Sequence, residues 1–238
     1  MRKLIDSAAQ LGIKLTTEQL EQFQIYYEEL VDWNKRMNLT AITEYDDVQV
    51  KHFLDSLTLV AACGELVSKL KPRFLDVGTG AGLPGIPMKI VFPTIELVLL
   101  ESVAKKTAFL RYLIDRLNLD DVTIAESRAE TLAHCVDYRE QFDIVTCRAV
   151  GTLATTVEIS LPFCRKCGIF IAQKKGVIDD ELGKASVAIE TLGGKLRGIE
   201  RINLAVFNEE RLLVVIGKVG ATPSAYPRRP GVPRKRPL

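Results

Sequence analysis

The chain has 238 residues, 47% of them hydrophobic and 26% charged, and a net charge of +2. That suits one domain of moderate size and excludes a disordered or collagen-like chain. No run approaches the ~18 uninterrupted apolar residues of a membrane-spanning helix, and Met1-Arg-Lys-Leu-Ile5 gives way to Asp6 without the apolar stretch of a signal peptide. A cytoplasmic protein with no membrane partner is expected.

The first ~70 residues read as helical. Thr16 and Gln19 form a capping-box pattern, and Leu20, Phe23, Tyr27, Leu30 and Val31 follow at helical spacing. A polar stretch, Asn38 to Asp47, interrupts the pattern before Val48, Phe53, Leu54, Leu57 and Ala61 resume it. From Arg73 the pattern becomes alternation. Strand-like runs at Phe74–Val77, Glu96–Leu100, Val122–Ala125, Phe142–Cys147 and Gly168–Ala172 are separated by helix-compatible stretches at Pro84–Val91, Ala104–Leu117, Glu130–Cys135, Thr152–Cys164 and Asp179–Leu192. That order argues for an α/β fold, a mostly parallel sheet with helices on both faces. Ile199–Phe207 and Arg211–Lys218 read as a closing antiparallel hairpin.

The last twenty residues carry five basic side chains (Arg228, Arg229, Arg234, Lys235, Arg236), no acid and five of the ten prolines. This composition reads as an extended tail that cannot fold alone, either a phosphate-seeking arm or a solvated terminus. The expected division is a helical region 1–70, a catalytic domain 71–218 and a basic tail 219–238. Five scattered cysteines (Cys63, Cys135, Cys147, Cys164, Cys167) suit reduced thiols. Cys164-Arg-Lys-Cys167 lacks the second ligand pair of a zinc site, so no metal is expected.

In a parallel sheet the ligand belongs at the carboxyl ends of the strands. There the chain places Gly78-Thr-Gly80-Ala-Gly82-Leu83, Glu101, Ser127–Glu130 and Arg148. The glycine spacing departs from the dinucleotide fingerprint G-x-G-x-x-G, and Asp76 just before it would repel a pyrophosphate. A cationic ligand without phosphate suits the site better, and S-adenosylmethionine is one. Glu101 ends the second strand where a carboxylate accepts ribose hydroxyls, a device that nicotinamide enzymes share. The set Asp76, Gly78, Gly80, Gly82, Glu101 and Glu130 forms the expected cofactor site.

The stretches WNKRMNLTAI (33–42), KHFLDSL (51–57), FLDVGTGAGLPGIP (74–87), SRAE (127–130), FDIVTCRAV (142–150) and KKG (174–176) resemble the family of bacterial ribosomal RNA small subunit methyltransferase G, also called glucose-inhibited division protein B. The resemblance covers essentially the whole length. It implies a Rossmann-like class I methyltransferase behind a small helical region, using S-adenosyl-L-methionine to methylate N7 of a guanine in 16S rRNA of the small ribosomal subunit. Carried onto matching positions, it also implies cofactor contacts from Gly78, Leu83, Ala129, Glu130 and Arg148. A monomer is expected.

The residues agree with N7 chemistry. A Pro-Cys nucleophile for pyrimidine carbon is missing, since Pro162-Phe163-Cys164 does not supply it. Cys147-Arg148-Ala149-Val150 stands where an Asn/Asp-Pro-Pro-aromatic turn would serve an exocyclic amine. N7 attacks through a free lone pair, so positioning and electrostatics suffice. Arg148 and Arg128 are the candidates to carry this role. Arg148 reads as orienting the cofactor, a phosphate or guanine O6, with a surface ion pair as the alternative. Lys105, Lys106, Lys174 and Lys175 read as RNA-backbone contacts or solvated lysines. His52 and Asp55 read as a helix-surface pair, and Trp33, Tyr26 and Tyr27 as core. Three rivals stay open: a methyltransferase for protein or small molecules, a nicotinamide oxidoreductase, and a ribosome-binding protein with an idle cofactor fold.

Overall fold

The computed structural model describes residues 1–68, 70–148 and 151–238. Helices α1 (Arg2–Gln10) and α2 (Thr17–Met37) open the chain. The Thr16 hydroxyl accepts from the Gln19 amide at 3.2 Å, and the Gln19 side chain accepts from the Thr16 amide at 3.0 Å. This reciprocal pair fixes the start of α2. α3 (Tyr45–Val48) continues through a π-helical turn, Gln49–Leu54, into α4 (Asp55–Leu57), and α5 (Val60–Cys63) follows. Such turns are rare and tend to occur at functional sites.

Alternation then runs as expected: β1 (Arg73–Val77), α6 (Gly85–Val91), β2 (Glu96–Glu101), α7 (Ala104–Arg116), β3 (Val122–Glu126), α8 (Ala129–Leu132), β4 (Phe142–Arg148), α9 (Leu153–Ser160), β5 (Cys164–Lys175), α10 (Asp179–Thr191), β6 (Gly194–Ile202), β7 (Arg211–Lys218) and α11 (Val232–Lys235). The sheet order is β3-β2-β1-β4-β5-β7-β6. Five strands are parallel, and β7 lies antiparallel between β5 and β6. Several boundaries differ from the sequence reading, among them the end of α8 at Leu132 and the longer β5. The helix placed over Thr152–Cys164 stops at Ser160, because a 3-10 turn containing Pro162 intervenes and Cys164 already pairs with Phe142 of β4. The first arm of the hairpin begins at Gly194, drawn in by pairing with Lys218. Phe207 leaves the strand and lies under the Arg211 guanidinium, 4.5 Å from ring centre to charge.

Each face of the sheet has its own apolar cluster. Phe74, Leu97 and Ile144 point to one face and pack with Ile86, Phe109 and the amino-terminal Leu4, Phe23 and Phe53. Residues 1–68 thus share a core with the sheet rather than forming one of their own. Leu75, Val145 and Phe170 point to the other face and meet Val157, Ala185 and Ile189.

The carboxyl-terminal segment is not an extended arm. Arg139 donates to the carbonyls of Thr222 and Tyr226, both at 2.9 Å. The wholly buried Glu158 accepts from the Arg228 amide at 2.9 Å and its Nε at 2.8 Å. The Gly231 amide donates to Glu130 at 2.9 Å, and Thr155 donates to the Pro233 carbonyl at 3.1 Å. The composition of the segment suggested solvent; its partners lie some seventy to a hundred residues earlier.

Candidate active site

A cleft of about 1220 Å³ opens at the carboxyl ends of β1 to β4. Its floor is the turn after β1, where Gly78, Gly80 and Gly82 take φ of 70°, 62° and 95°, values that a side chain disfavours. The amides of Gly78 and Thr79 both donate to the Leu100 carbonyl, at 2.9 and 3.1 Å, which ties the turn to β2. The glycines have different reasons. A Cβ at Gly82 would strike Ile86 at 2.5 Å, whereas a Cβ at Gly80 meets no protein atom within 4 Å. Gly82 is crowded by Ile86 and held to glycine by its φ of 95°, and Gly80 leaves room for a ligand. Tyr26 supports the turn from below, its hydroxyl donating to the Ala81 carbonyl at 2.6 Å.

Of the expected cofactor residues, Gly78, Gly80, Leu83, Glu101, Ala129, Glu130 and Arg148 all line the cleft. Asp76 does not. It is wholly buried beneath the turn, where one carboxylate oxygen accepts from the Thr79 hydroxyl at 2.6 Å and the Gly85 amide at 2.9 Å. Burial raises its pKa to about 6, against the lowering effect of those two hydrogen bonds. Asp76 braces the loop instead of facing the ligand, which corrects the reading of it as a contact for a cation. Its second oxygen is buried and has no partner among the described residues.

Glu101 is held in place by its own backbone surroundings: it accepts from the amides of Ser102 at 2.8 Å, Val103 at 2.9 Å and Gly80 at 3.1 Å. Lys106 lies 3.9 Å away and also lines the cleft. Arg128 precedes α8 and lines the cleft exposed, with no carboxylate pairing it among the described residues. The opposite wall is formed by Pro230, Gly231, Pro233, Arg234 and Lys235, residues that the sequence reading left outside the site.

Arg148, at the end of β4, is half-buried. Its Nη1 donates to Asp55 at 3.1 Å, and the other Asp55 oxygen accepts from Arg211 Nε at 2.7 Å. One buried carboxylate thus joins β4 and β7 through the amino-terminal region. The pair His52 and Asp55 is therefore internal, not a helix-surface pair. His52 Nδ1 donates to the Lys51 carbonyl at 3.1 Å, so Nε2 accepts from the Thr40 hydroxyl at 2.8 Å. Burial, and then the nearby Arg148 charge, lower the imidazole pKa to about 4. His52 is neutral near pH 7.

Lys174 donates to the Gly151 carbonyl at 2.9 Å and pairs with Glu181 at 2.8 Å, while Lys175 stands exposed. Trp33 packs on Phe109 and Tyr112, with ring centres 5.5 and 5.2 Å away. Cys147 is buried and its thiol is held far above the usual range by desolvation, unsuited to act as a nucleophile. Ala149 and Val150, after Arg148, lie outside the described residues. Arg211 and the 230–235 wall carried no motif, and Thr40 and Asp55 lie in the family-like stretches 33–42 and 51–57 without a site role read for them; only the tertiary fold brings them together.

A family model described as GidB, rRNA small subunit methyltransferase G, matches residues 19–211. The chain belongs to this family. It is similar to ribosomal RNA small subunit methyltransferase G of Dehalococcoides mccartyi strain CBDB1, 48% identical with all of both chains covered. The protein of that name in Bacillus subtilis strain 168 is 42% identical, covering 97% of this chain and 95% of its own. Among solved structures, a variant of MtNAS in complex with S-adenosylmethionine is similar in fold, with a TM-score of 0.55 at 17% identity, covering 91% of this chain and 77% of its own. Among the described residues of this family member no helix is long and apolar enough to cross a membrane, and no cluster of three His, Cys, Asp or Glu suits a metal.

Proposed function

We propose that this chain transfers a methyl group from S-adenosyl-L-methionine to N7 of a guanine in 16S rRNA of the small ribosomal subunit, acting as a cytoplasmic monomer. The observation that carries the reading is one cleft with an open-faced Gly80, a fixed Glu101 and Arg148 on its walls, in a chain of the GidB family. The residues fit the cofactor: Gly80 leaves space where a Cβ would project, and Glu101 is a buried acceptor at the end of β2. When bound, S-adenosyl-L-methionine supplies an electrophilic methyl, and the bonding pair returns to sulfur as the new N–C bond forms.

The protein's part is to hold and orient. Guanine N7 carries no proton, so no base is needed before attack. His52 is neutral and already engaged by Thr40, which suits a supporting role. Arg148 brings a fixed positive group to the border of the cleft, where a guanidinium donates to guanine O6 and leaves N7 free. Arg128, Lys106, Arg234 and Lys235 give the rim a basic character suited to RNA phosphate.

The test is transfer of labelled methyl to small subunits from cells lacking the protein, followed by borohydride and aniline. A 7-methylguanine leaves a cleavable site, so one new RNA end is expected. Arg148→Ala should remove it in a folded protein, and Cys147→Ser should keep it. Methyl recovered on a pyrimidine carbon or an exocyclic amine overturns the reading.

A further inference from the structure

Beside the cofactor cleft lies a second cavity of about 370 Å³, and the two share His52 and Arg148 as a common wall. It sits at the carboxyl end of β5, with Ile42 and Leu213 among its apolar lining. Gln173 also lines it, 91% buried (9% exposed). The Gln173 amide nitrogen donates to the Asp55 carbonyl at 2.8 Å. A carbonyl only accepts, so the orientation of the amide is fixed and it presents its oxygen on the other side. That Oε1 is buried and, among the described residues, accepts from nothing. Unpaired buried acceptors are costly and rare, and one on a residue that lines a cavity marks a place for a donor.

Arg148 and Gln173 are register partners on adjacent parallel strands, so their side chains leave the sheet side by side on the same face. Among the described residues only Nη1 of Arg148 is engaged. The pair therefore offers the cavity a donor next to an acceptor. Guanine carries the complement along one edge, O6 as acceptor followed by N1–H and the 2-amino group as donors. Adenine carries a donor at position 6 and an acceptor at N1, which would set donor against donor and acceptor against acceptor. With O6 at Arg148 and N1–H toward Gln173, N7 lies on the far side of O6, toward the wall shared with the cofactor cleft.

We propose that this second cavity receives the target guanine, and that Gln173 Oε1 is a specificity-determining acceptor for its N1–H and 2-amino edge. The proposal rests on the functional reading above. The experiment saturates the cofactor cleft with S-adenosylhomocysteine and titrates GMP and AMP calorimetrically into the wild type and Gln173→Leu. The wild type should bind GMP at least about tenfold tighter than AMP, the scale of one good base-edge contact, and Gln173→Leu should bring the ratio near one. A structural defect would weaken both nucleotides alike and keep the ratio. Equal affinities in the wild type, or no binding of either, overturn the proposal even if the variant fails to fold. On small subunits, Gln173→Leu should lose about tenfold or more in kcat/KM with cofactor affinity unchanged, and an unaltered kcat/KM also overturns it. A wild type that prefers GMP yet transfers no methyl to RNA would instead sink the functional reading and leave the guanine pocket standing.

Discussion

The two walls of the cofactor cleft are built in opposite ways. The β1–β2 wall comes from one short span, Asp76 to Glu101, and is tied together by backbone amides: Gly78 and Thr79 donate to the Leu100 carbonyl, and Gly80 donates to the Glu101 carboxylate. The facing wall, Pro230 to Lys235, belongs to a segment with little internal structure of its own. It is held by side chains from elsewhere, Glu130, Arg139 and Glu158. The first wall is rigid because its turn is locally determined, and damage there acts on the ligand directly. The second depends on docking, so damage to a distant anchor reaches the cleft through loss of the segment.

The strongest way to break the first wall is Gly80→Val. The φ of 62° disfavours a branched side chain, and the new atoms point into open cleft, not into protein. Binding of S-adenosyl-L-methionine should disappear from calorimetric titration while the circular dichroism spectrum is kept; unchanged affinity would place the ligand elsewhere. The second wall is tested with Arg228→Ala. It leaves the buried Glu158 with only the Arg228 amide, so a loss of roughly 3 kcal/mol in unfolding free energy is expected, the lower end for breaking a buried pair. Cofactor affinity should fall with it. A stable variant with full affinity would show that the segment docks without its arginine.

Between the walls, His52 gives a pH signature. Its folded pKa of about 4 lies below the unfolded value near 6.5. The neutral form is favoured in the native state, and its contribution is fully present above pH 6.5 and lost as pH falls toward 4. Compared with His52→Gln in denaturant titrations, the wild type should lose roughly 3 kcal/mol or less of relative stability across that window. Asp76 acts in the opposite direction, since its raised pKa favours the fold at low pH and the benefit fades as pH rises through 6. It cancels because both proteins contain it. A difference that is flat with pH would mean that His52 does not titrate as a buried group. The smallest effect expected is Glu101→Ala, a weakening of cofactor binding by roughly 1.5–3 kcal/mol for one lost charged hydrogen-bond partner. No change would remove Glu101 from the ligand contacts.

The same contrast governs what the sequence made readable. Alternation of strand and helix from Arg73 onward, the glycine turn and Glu101 are consequences of nearby residues, and they appear in the structure where spacing puts them. Asp76 was misplaced because position along a strand does not tell which face is covered, and here Thr79 and Gly85, at the start of α6, close over it. Arg148 was identified, but its partner Asp55 was read as a surface group because a π-helical turn changes the angular spacing that helical periodicity assumes. The docked segment was invisible for a further reason. Its composition is that of a disordered peptide, and its order comes from partners in α8, α9 and the loop before β4.

The Asp55–Arg211 ion pair spans 156 residues. During synthesis Asp55 leaves the ribosome early, and its β7 partner follows only when nearly nine-tenths of the chain has been made. The cleft's second wall is translated later still. Neither the amino-terminal helices nor the strand–helix repeats can therefore reach their final arrangement as separate cotranslational units. Such distant contacts slow folding, because long loops must close before the contacts stabilise anything. A chain cut after β7 would hold the sheet and the glycine turn but only half of a binding site. Competence to bind cofactor should thus arise only once residues 230–235 have emerged and docked.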